Sequence, residues 1–80
     1  MKEFNFKILS PDRVIFEGKC TSLVFDAPDG KYGILADHSP VISAVSEGEL
    51  TVTGPSGTQA FTLPGGILRF ENNEGTVVVS

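Results

Sequence analysis

The segment Gly33-Ile34-Leu35-Ala36-Asp37-His38-Ser39-Pro40 places an apolar pair beside a glycine and then a polar corner that ends at a proline. Ile and Leu favour a buried strand, whereas Asp, Ser and Pro favour turns. The segment therefore predicts a short strand that ends in a tight corner. This corner carries the only histidine of the chain.

Glycine and proline interrupt the rest of the sequence too often for helices. An average helix needs about 11–12 residues, whereas strands of about 5–6 residues fit the intervals between these two residue types. Turn signals occur at Pro28-Asp29-Gly30, Gly54-Pro55-Ser56-Gly57, Pro64-Gly65-Gly66 and Asn72-Asn73-Glu74-Gly75.

Apolar and polar residues alternate between these turns, as in a strand with one buried face. Phe4, Phe6 and Ile8 alternate with Asn5 and Lys7. The same spacing occurs at Val14 and Phe16, Leu23 and Phe25, Leu50 and Val52, Phe61 and Leu63, and Val77 and Val79. We therefore predict one all-β domain over residues 1–80, a two-sheet β-sandwich or flattened barrel of about eight to ten short strands. The charged residues expected to protect its edge strands are Lys7, Glu17, Lys19 and Arg69.

Composition excludes several classes of function. The chain has 80 residues and a net charge of −4, without the basic patch of a nucleic-acid-binding protein. No stretch approaches the roughly 20 apolar residues that span a bilayer. The single Cys20 cannot form an internal disulfide, and we expect it to be a buried apolar residue. We expect a soluble cytoplasmic chain that reaches a membrane only through another protein.

No set of residues predicts catalysis or a cofactor. Asp37-His38-Ser39 has the residue types of a hydrolase triad. Consecutive side chains point in different directions, however, so they cannot form the hydrogen bonds that join Ser, His and Asp in a triad. We expect Asp37 and Ser39 to bind local backbone N–H groups instead. One histidine and one cysteine match no zinc pattern, and Gly65-Gly66 leads into a strand and not a phosphate-binding helix.

The segment from Gly33 to Pro40 closely resembles the Gly-Ile-Leu-Pro-Gly-His-Ala-Pro signature of the epsilon subunit of F-type ATP synthases, which lies in the N-terminal domain of that subunit. Other landmarks of the family agree along the whole chain: Ser10-Pro11, Phe16-Glu17-Gly18, Gly48-Glu49-Leu50, Gly65-Gly66 and Thr76-Val77-Val78-Val79. The resemblance implies a non-catalytic central-stalk (rotor) subunit of a proton- or sodium-translocating synthase. It places the chain on the cytoplasmic face of the bacterial inner membrane, as a peripheral part of the complex.

The resemblance also implies partners and site residues. In that family the β-sandwich binds the gamma subunit and rests on the polar loops of the c-ring. The positions that match gamma-facing residues are Ser10, His38 and Ser43; those that match the c-ring-facing loop are Asp29, Gly30, Lys31 and Tyr32; those with structural roles are Gly33, Pro40, Gly65 and Gly66. We expect the binding energy to come from an apolar patch on one sheet with a polar rim. Tyr32 would anchor an interface or pack on its own domain.

The chain departs from the family pattern in three places. Ala36-Asp37 replaces the usual Pro-Gly, so we expect a less sharply bent corner with an extra charge. Lys31 replaces an acid that usually faces the c-ring, so either the partner loop differs or Asp29 makes the contact. The sequence ends at Ser80, where the family's two-helix domain would begin, and we expect a naturally short form without the inhibitory and ATP-binding helices.

Two other functions remain as alternatives. Lipoyl and biotinyl carrier domains are also flattened all-β domains, with an exposed lysine at a hairpin tip, and Lys31 could fill that role. The Asp-Lys-Ala and Met-Lys-Met contexts of those carriers are absent around Lys31. A generic β-sandwich adaptor for another protein is the second alternative.

Overall fold

The computed structural model describes residues 2–80, and these residues form nine strands without a helix. Within this range, therefore, no helix is long and apolar enough to cross a membrane. The strands are β1 (Phe4–Ser10), β2 (Arg13–Cys20), β3 (Ser22–Ala27), β4 (Gly30–Leu35), β5 (Val41–Val45), β6 (Gly48–Gly54), β7 (Gly57–Leu63), β8 (Gly66–Glu71) and β9 (Glu74–Val79).

The strands form two sheets that face each other, which confirms the predicted all-β sandwich. One sheet has five strands in the order β2-β1-β9-β8-β5, and the other has four in the order β4-β3-β6-β7. All neighbours are antiparallel except β1 and β9. Each predicted turn joins two strands. In the β8–β9 hairpin, Asn72 and Asn73 have φ angles of 53° and 57°, the left-handed conformation that two-residue hairpin loops require.

The core lies between the sheets and is built by the alternation seen in the sequence. Phe4, Phe6 and Ile8 are each at most 2% exposed, whereas Asn5 and Lys7 are exposed. The remaining fully buried side chains include one or more from most strands: Cys20, Leu23, Phe25, Ile34, Leu50, Leu68, Phe70 and Val77. One apolar face per strand is therefore sufficient to fill the sandwich.

The alternation prediction is wrong in β2. Phe16 pairs with Ile8 and turns inward, but Val14 pairs with Leu9 and is 52% exposed on the outer face. A β-bulge causes the difference, because Ile15 has no residue opposite it and the side-chain alternation shifts by one.

The prediction that four charged residues protect edge strands is correct for two of them and wrong for the other two. Glu17 and Lys19 lie on the edge strand β2, as predicted. Lys7 and Arg69 lie on β1 and β8, which have a neighbour on each side, so they protect no edge and simply face solvent.

Candidate functional site

Apolar side chains form a continuous band on the outer face of the five-stranded sheet. The register aligns Leu9 with Val14 and Val78, Val78 with Ile67, and Ile67 with Ala44. These aligned residues form one row that crosses all five strands. The row is about 19 Å long, at roughly 4.8 Å per strand. We call this row together with its neighbour Ile42 the apolar face: Val14, Leu9, Val78, Ile67, Ala44 and Ile42.

Much of the apolar face is open to solvent. Ile42 is 71% exposed, and Ile67, Val78 and Val14 are 53%, 52% and 52% exposed. Four of the six exposed large apolar side chains of the described residues therefore lie here. The next row of the sheet contains the polar residues Glu17, Lys7, Thr76 and Arg69 and ends at Ile42 on β5. An apolar strip bordered by charge is the usual composition of a protein interface.

A second cluster surrounds His38, at the corner between β4 and β5. The His38 ring lies between Tyr32 and Phe70, with centroid distances of 5.8 and 6.0 Å. Its Nδ1 lies 2.7 Å from the Ser39 carbonyl oxygen, and because that oxygen only accepts, Nδ1 is the donor of this hydrogen bond. Nε2 is then free to accept the Tyr32 hydroxyl at 3.4 Å.

Tyr32 is therefore an inward-facing residue of β4. Its ring stacks on buried Phe25 at 5.5 Å, with an interplanar angle of 25°. This is the second of the two roles considered from the sequence, packing on its own domain. A contact between Tyr32 and a c-ring stays a prediction.

Two expectations about Asp37 are wrong. Its φ angle is 68°, so the corner keeps the left-handed conformation that a glycine would supply; a short polar side chain tolerates it. The Asp37 carboxylate does not bind the local backbone. It accepts a hydrogen bond from Asn73 Nδ2 at 2.9 Å, and Asn73 Oδ1 accepts one from the Asp37 N–H at 2.6 Å. These two bonds, which we call the corner clamp, fasten the β4–β5 corner to the β8–β9 hairpin.

A third residue contributes to the charge balance at this corner. Lys2 Nζ lies 3.1 Å from Asp37 Oδ1. The hydrogen bond from Asn73, and then the one from Lys2, lower the pKa of the Asp37 carboxyl below its usual value.

The predicted c-ring-facing residues lie at the β3–β4 hairpin. Pro28 and Asp29 form its tip, and Gly30 has a φ angle of 124° where β4 begins. Lys31 lies in β4 and not at the tip, and its Nζ is 2.9 Å from Asp26 Oδ1. Lys31 thus has an ion-pair partner on the surface of its own domain, and Asp29 is the exposed carboxylate of the tip.

The predicted gamma-facing residues do not form one cluster. Ser10 ends β1, where its hydroxyl bonds Asp12 at 2.9 Å. Ser43 lies on β5, three strands away or about 14 Å, and is half-buried on the inner face. His38 lies at the corner before β5. Ser43 stands between Ile42 and Ala44, which face outward, so its side chain lies on the opposite side of the sheet from the apolar face.

The four residues predicted to be structural differ in their surroundings. Gly65 has a φ angle of 111°, and a Cβ on Gly66 would overlap the Val78 carbonyl oxygen, so both positions have a physical reason for glycine. At Gly33 a Cβ would lie 3.8 Å from the Leu23 carbonyl oxygen, an ordinary contact. Pro40 directly precedes β5.

Groups with potential chemistry are few in the described residues. Within residues 2–80, no three His, Cys, Asp or Glu side chains come together as metal ligands would. Cys20 is 0% exposed, and burial, with a smaller effect from Glu3, raises the pKa of its thiol to about 11. A thiol with this pKa stays protonated at neutral pH and is a poor nucleophile.

The family model that matches the chain is the beta-sandwich domain of the ATP synthase delta/epsilon chain, over residues 3–80. The chain belongs to this family. Among curated relatives, the ATP synthase epsilon chain of Caldicellulosiruptor bescii is 31% identical over 78 residues, and that of Rhodopseudomonas palustris (strain BisB5) is 33% identical over 78 residues. Each alignment covers 98% of this chain but only 57% and 58% of the relative. The chain therefore spans little more than half the length of these relatives.

Solved structures show the same fold. A chain of the Euglena gracilis mitochondrial ATP synthase (OSCP/F1/c-ring) superposes with a TM-score of 0.89 at 16% identity, over 96% of this chain and 50% of that one. A chain of the Tetrahymena thermophila mitochondrial ATP synthase central stalk/c-ring superposes with a TM-score of 0.81 at 10% identity, over 98% of this chain and 63% of that one.

Sequence reasoning predicted an apolar patch on one sheet but did not identify its residues. The signal was present, because Leu9, Ile67 and Val78 are apolar residues at positions where the alternation of their strands calls for polar ones. A strand with apolar residues on both faces, in a sandwich that buries only one, must expose the second set.

Proposed function

We propose that this chain is a non-catalytic domain of the central stalk of a proton- or sodium-translocating F-type ATP synthase. There it binds the gamma subunit and the c-ring and helps to couple ion flow to ATP synthesis. Its place is the cytoplasmic face of the bacterial inner membrane, peripheral and held only through the complex. Family membership over residues 3–80 supports the choice of complex.

The observation that carries the proposal is the apolar face. Ile42, Ile67 and Val78 are each more than half exposed, and covering one such side chain stabilises a complex by roughly 1–2 kcal/mol. The gamma subunit is the proposed occupant.

The c-ring contact is proposed for the tip of the β3–β4 hairpin. The hairpin belongs to the four-stranded sheet, so the two proposed partners meet different sheets. Lys31 is engaged with Asp26, so Asp29 is the residue that meets a cationic group of the ring. A sandwich held between two partners can transmit torque without moving parts, because its two sheets share one close-packed core.

The carrier alternative has no structural support. Lys31 lies within β4 and its ammonium group pairs with Asp26 at 2.9 Å, whereas a carrier lysine must stand free at a hairpin tip.

Binding to isolated gamma and to a gamma–c-ring assembly tests the proposal. We expect the purified chain to form a stable complex with gamma and to bind the assembly more tightly than gamma alone. A chain that binds neither would contradict the proposal. A chain that binds gamma with no gain from the ring would remove only the c-ring part.

A further inference from the structure

The free edge of β5 is chemically suited to accept another strand. β5 is the last strand of the five-stranded sheet, with β8 as its neighbour. Its five residues carry no charge, and its register with β8 is unbroken from Val41 to Val45. Edge strands are normally protected from pairing by charges, prolines or bulges. Between its first and last residues, β5 has none of these.

The opposite edge of the same sheet is protected in several ways. β2 contains the bulge at Ile15 and the charged residues Glu17 and Lys19. The gap between the sheets on that side is closed by Phe16 and Phe61, whose ring centroids are 5.5 Å apart. The two edges of one sheet therefore differ in their readiness to pair.

The inner row of the sheet that contains Phe16 at β2 ends in a small residue at β5. Ile8, Val77 and Leu68 lie side by side on the inner face and are each 0% exposed. Ser43 continues this row on β5 but is only half-buried. A small polar residue thus stands where an aromatic residue closes the other side, and an added strand would cover it.

The free edge is continuous with the apolar face. Ile42, the most exposed of the large apolar side chains at 71%, and Ala44 belong to both. The other edge without charge, β7, lies in the four-stranded sheet and exposes Thr58, Gln59 and Ala60. A partner that binds the apolar face is therefore adjacent to the β5 edge and not to the β7 edge.

We propose that the partner covering the apolar face also adds an extended, mainly apolar segment to β5 as a sixth strand. This inference rests on the proposed function, in which that partner is gamma. Main-chain hydrogen bonds from the added strand fix its position, and Ile42 and Ser43 contact its side chains on the two faces of the sheet.

Amide hydrogen exchange of β5, measured by NMR with and without gamma, tests the proposal. Strand addition pairs every second residue of an edge strand, so alternate β5 amides should exchange at least tenfold more slowly in the complex. The amides of β7 provide the internal control and should not change.

Each other outcome overturns the proposal in a distinguishable way. Binding without alternating protection in β5 would leave the apolar face as the interface and refute strand addition. Protection already present in the isolated chain, together with a dimer mass, would assign the edge to a second copy. Failure to bind at all would refute the proposed function itself.

Discussion

The Tyr32 hydroxyl lies 3.4 Å from Nε2 of His38, so the only tyrosine and the only histidine of the chain touch across the β4–β5 corner. The family resemblance assigned these residues to two different partners. In the structure they form one aromatic cluster with Phe25, which stacks on Tyr32, and Phe70, which meets His38 edge to face. His38 thus holds the corner to the core, whatever it also contacts outside the domain.

His38→Ala should therefore destabilise the isolated domain. Removing a ring that packs on two aromatic neighbours should lower the free energy of unfolding by roughly 1–2 kcal/mol. Because the chain has one tyrosine and no tryptophan, tyrosine fluorescence during urea unfolding reports on this cluster directly. Tyr32→Phe removes the fluorophore and is therefore followed by circular dichroism; it keeps the ring packing and should cost less. Unchanged stability in His38→Ala would show that the contacts of His38 with Tyr32 and Phe70 do not stabilise the fold.

The corner clamp predicts that a substitution at Asp37 restores the stability lost by a substitution at Asn73. Asn73→Asp places a second carboxylate against Asp37 and should destabilise the domain, most strongly above the pKa values of both groups. Adding Asp37→Asn restores one donor and one acceptor and should recover most of the loss. Thermal unfolding of the two single variants and the double variant near pH 7 measures this. A double variant with merely additive effects would show that the pair does not act as a unit.

Glycines 66 and 33 predict opposite responses to alanine. At Gly66 the new Cβ would overlap the Val78 carbonyl oxygen, and it has no flexible side chain to displace, so we expect a loss of roughly 1–3 kcal/mol. At Gly33 the contact is ordinary, so we expect no loss or a slight gain. Chemical denaturation of both variants decides this. Equal tolerance at the two positions would contradict the close approach of β8 to β9.

Cys20 predicts a stability loss in alkali. Its pKa is raised from 9.0 to about 11 in the fold, so only the unfolded thiol ionises between these values. The thiol's contribution is complete below pH 9 and is lost as pH rises toward 11, at about 1.4 kcal/mol per pH unit. Comparing the pH dependence of unfolding with that of Cys20→Ala isolates this effect from lysine and tyrosine titration. Equal slopes in the two proteins would refute it.

The fold followed from the sequence because glycine and proline marked the turns and period-two alternation marked the strands. The prediction failed where one inserted residue changed the alternation: nothing in Val14-Ile15-Phe16 indicates that Ile15 bulges. Edge assignment failed for Lys7 and Arg69 because strand order depends on contacts between distant strands.

The site was less predictable for the same physical reason. The corner clamp joins residues 36 positions apart, and the apolar face is assembled from five strands. Its members were visible as out-of-phase apolar residues, such as Val78 between Val77 and Val79. Their alignment into one row depends on registers that local spacing does not determine.

Two valines offer the most direct test of the apolar face as the stalk-binding surface. Val78 and Val24 lie on the outer faces of opposite sheets and are 52% and 40% exposed, so Val→Lys should perturb folding similarly at both. Titration calorimetry against gamma should show at least tenfold weaker binding for Val78→Lys and unchanged binding for Val24→Lys. Full affinity in Val78→Lys, or a loss confined to Val24→Lys, would contradict the account.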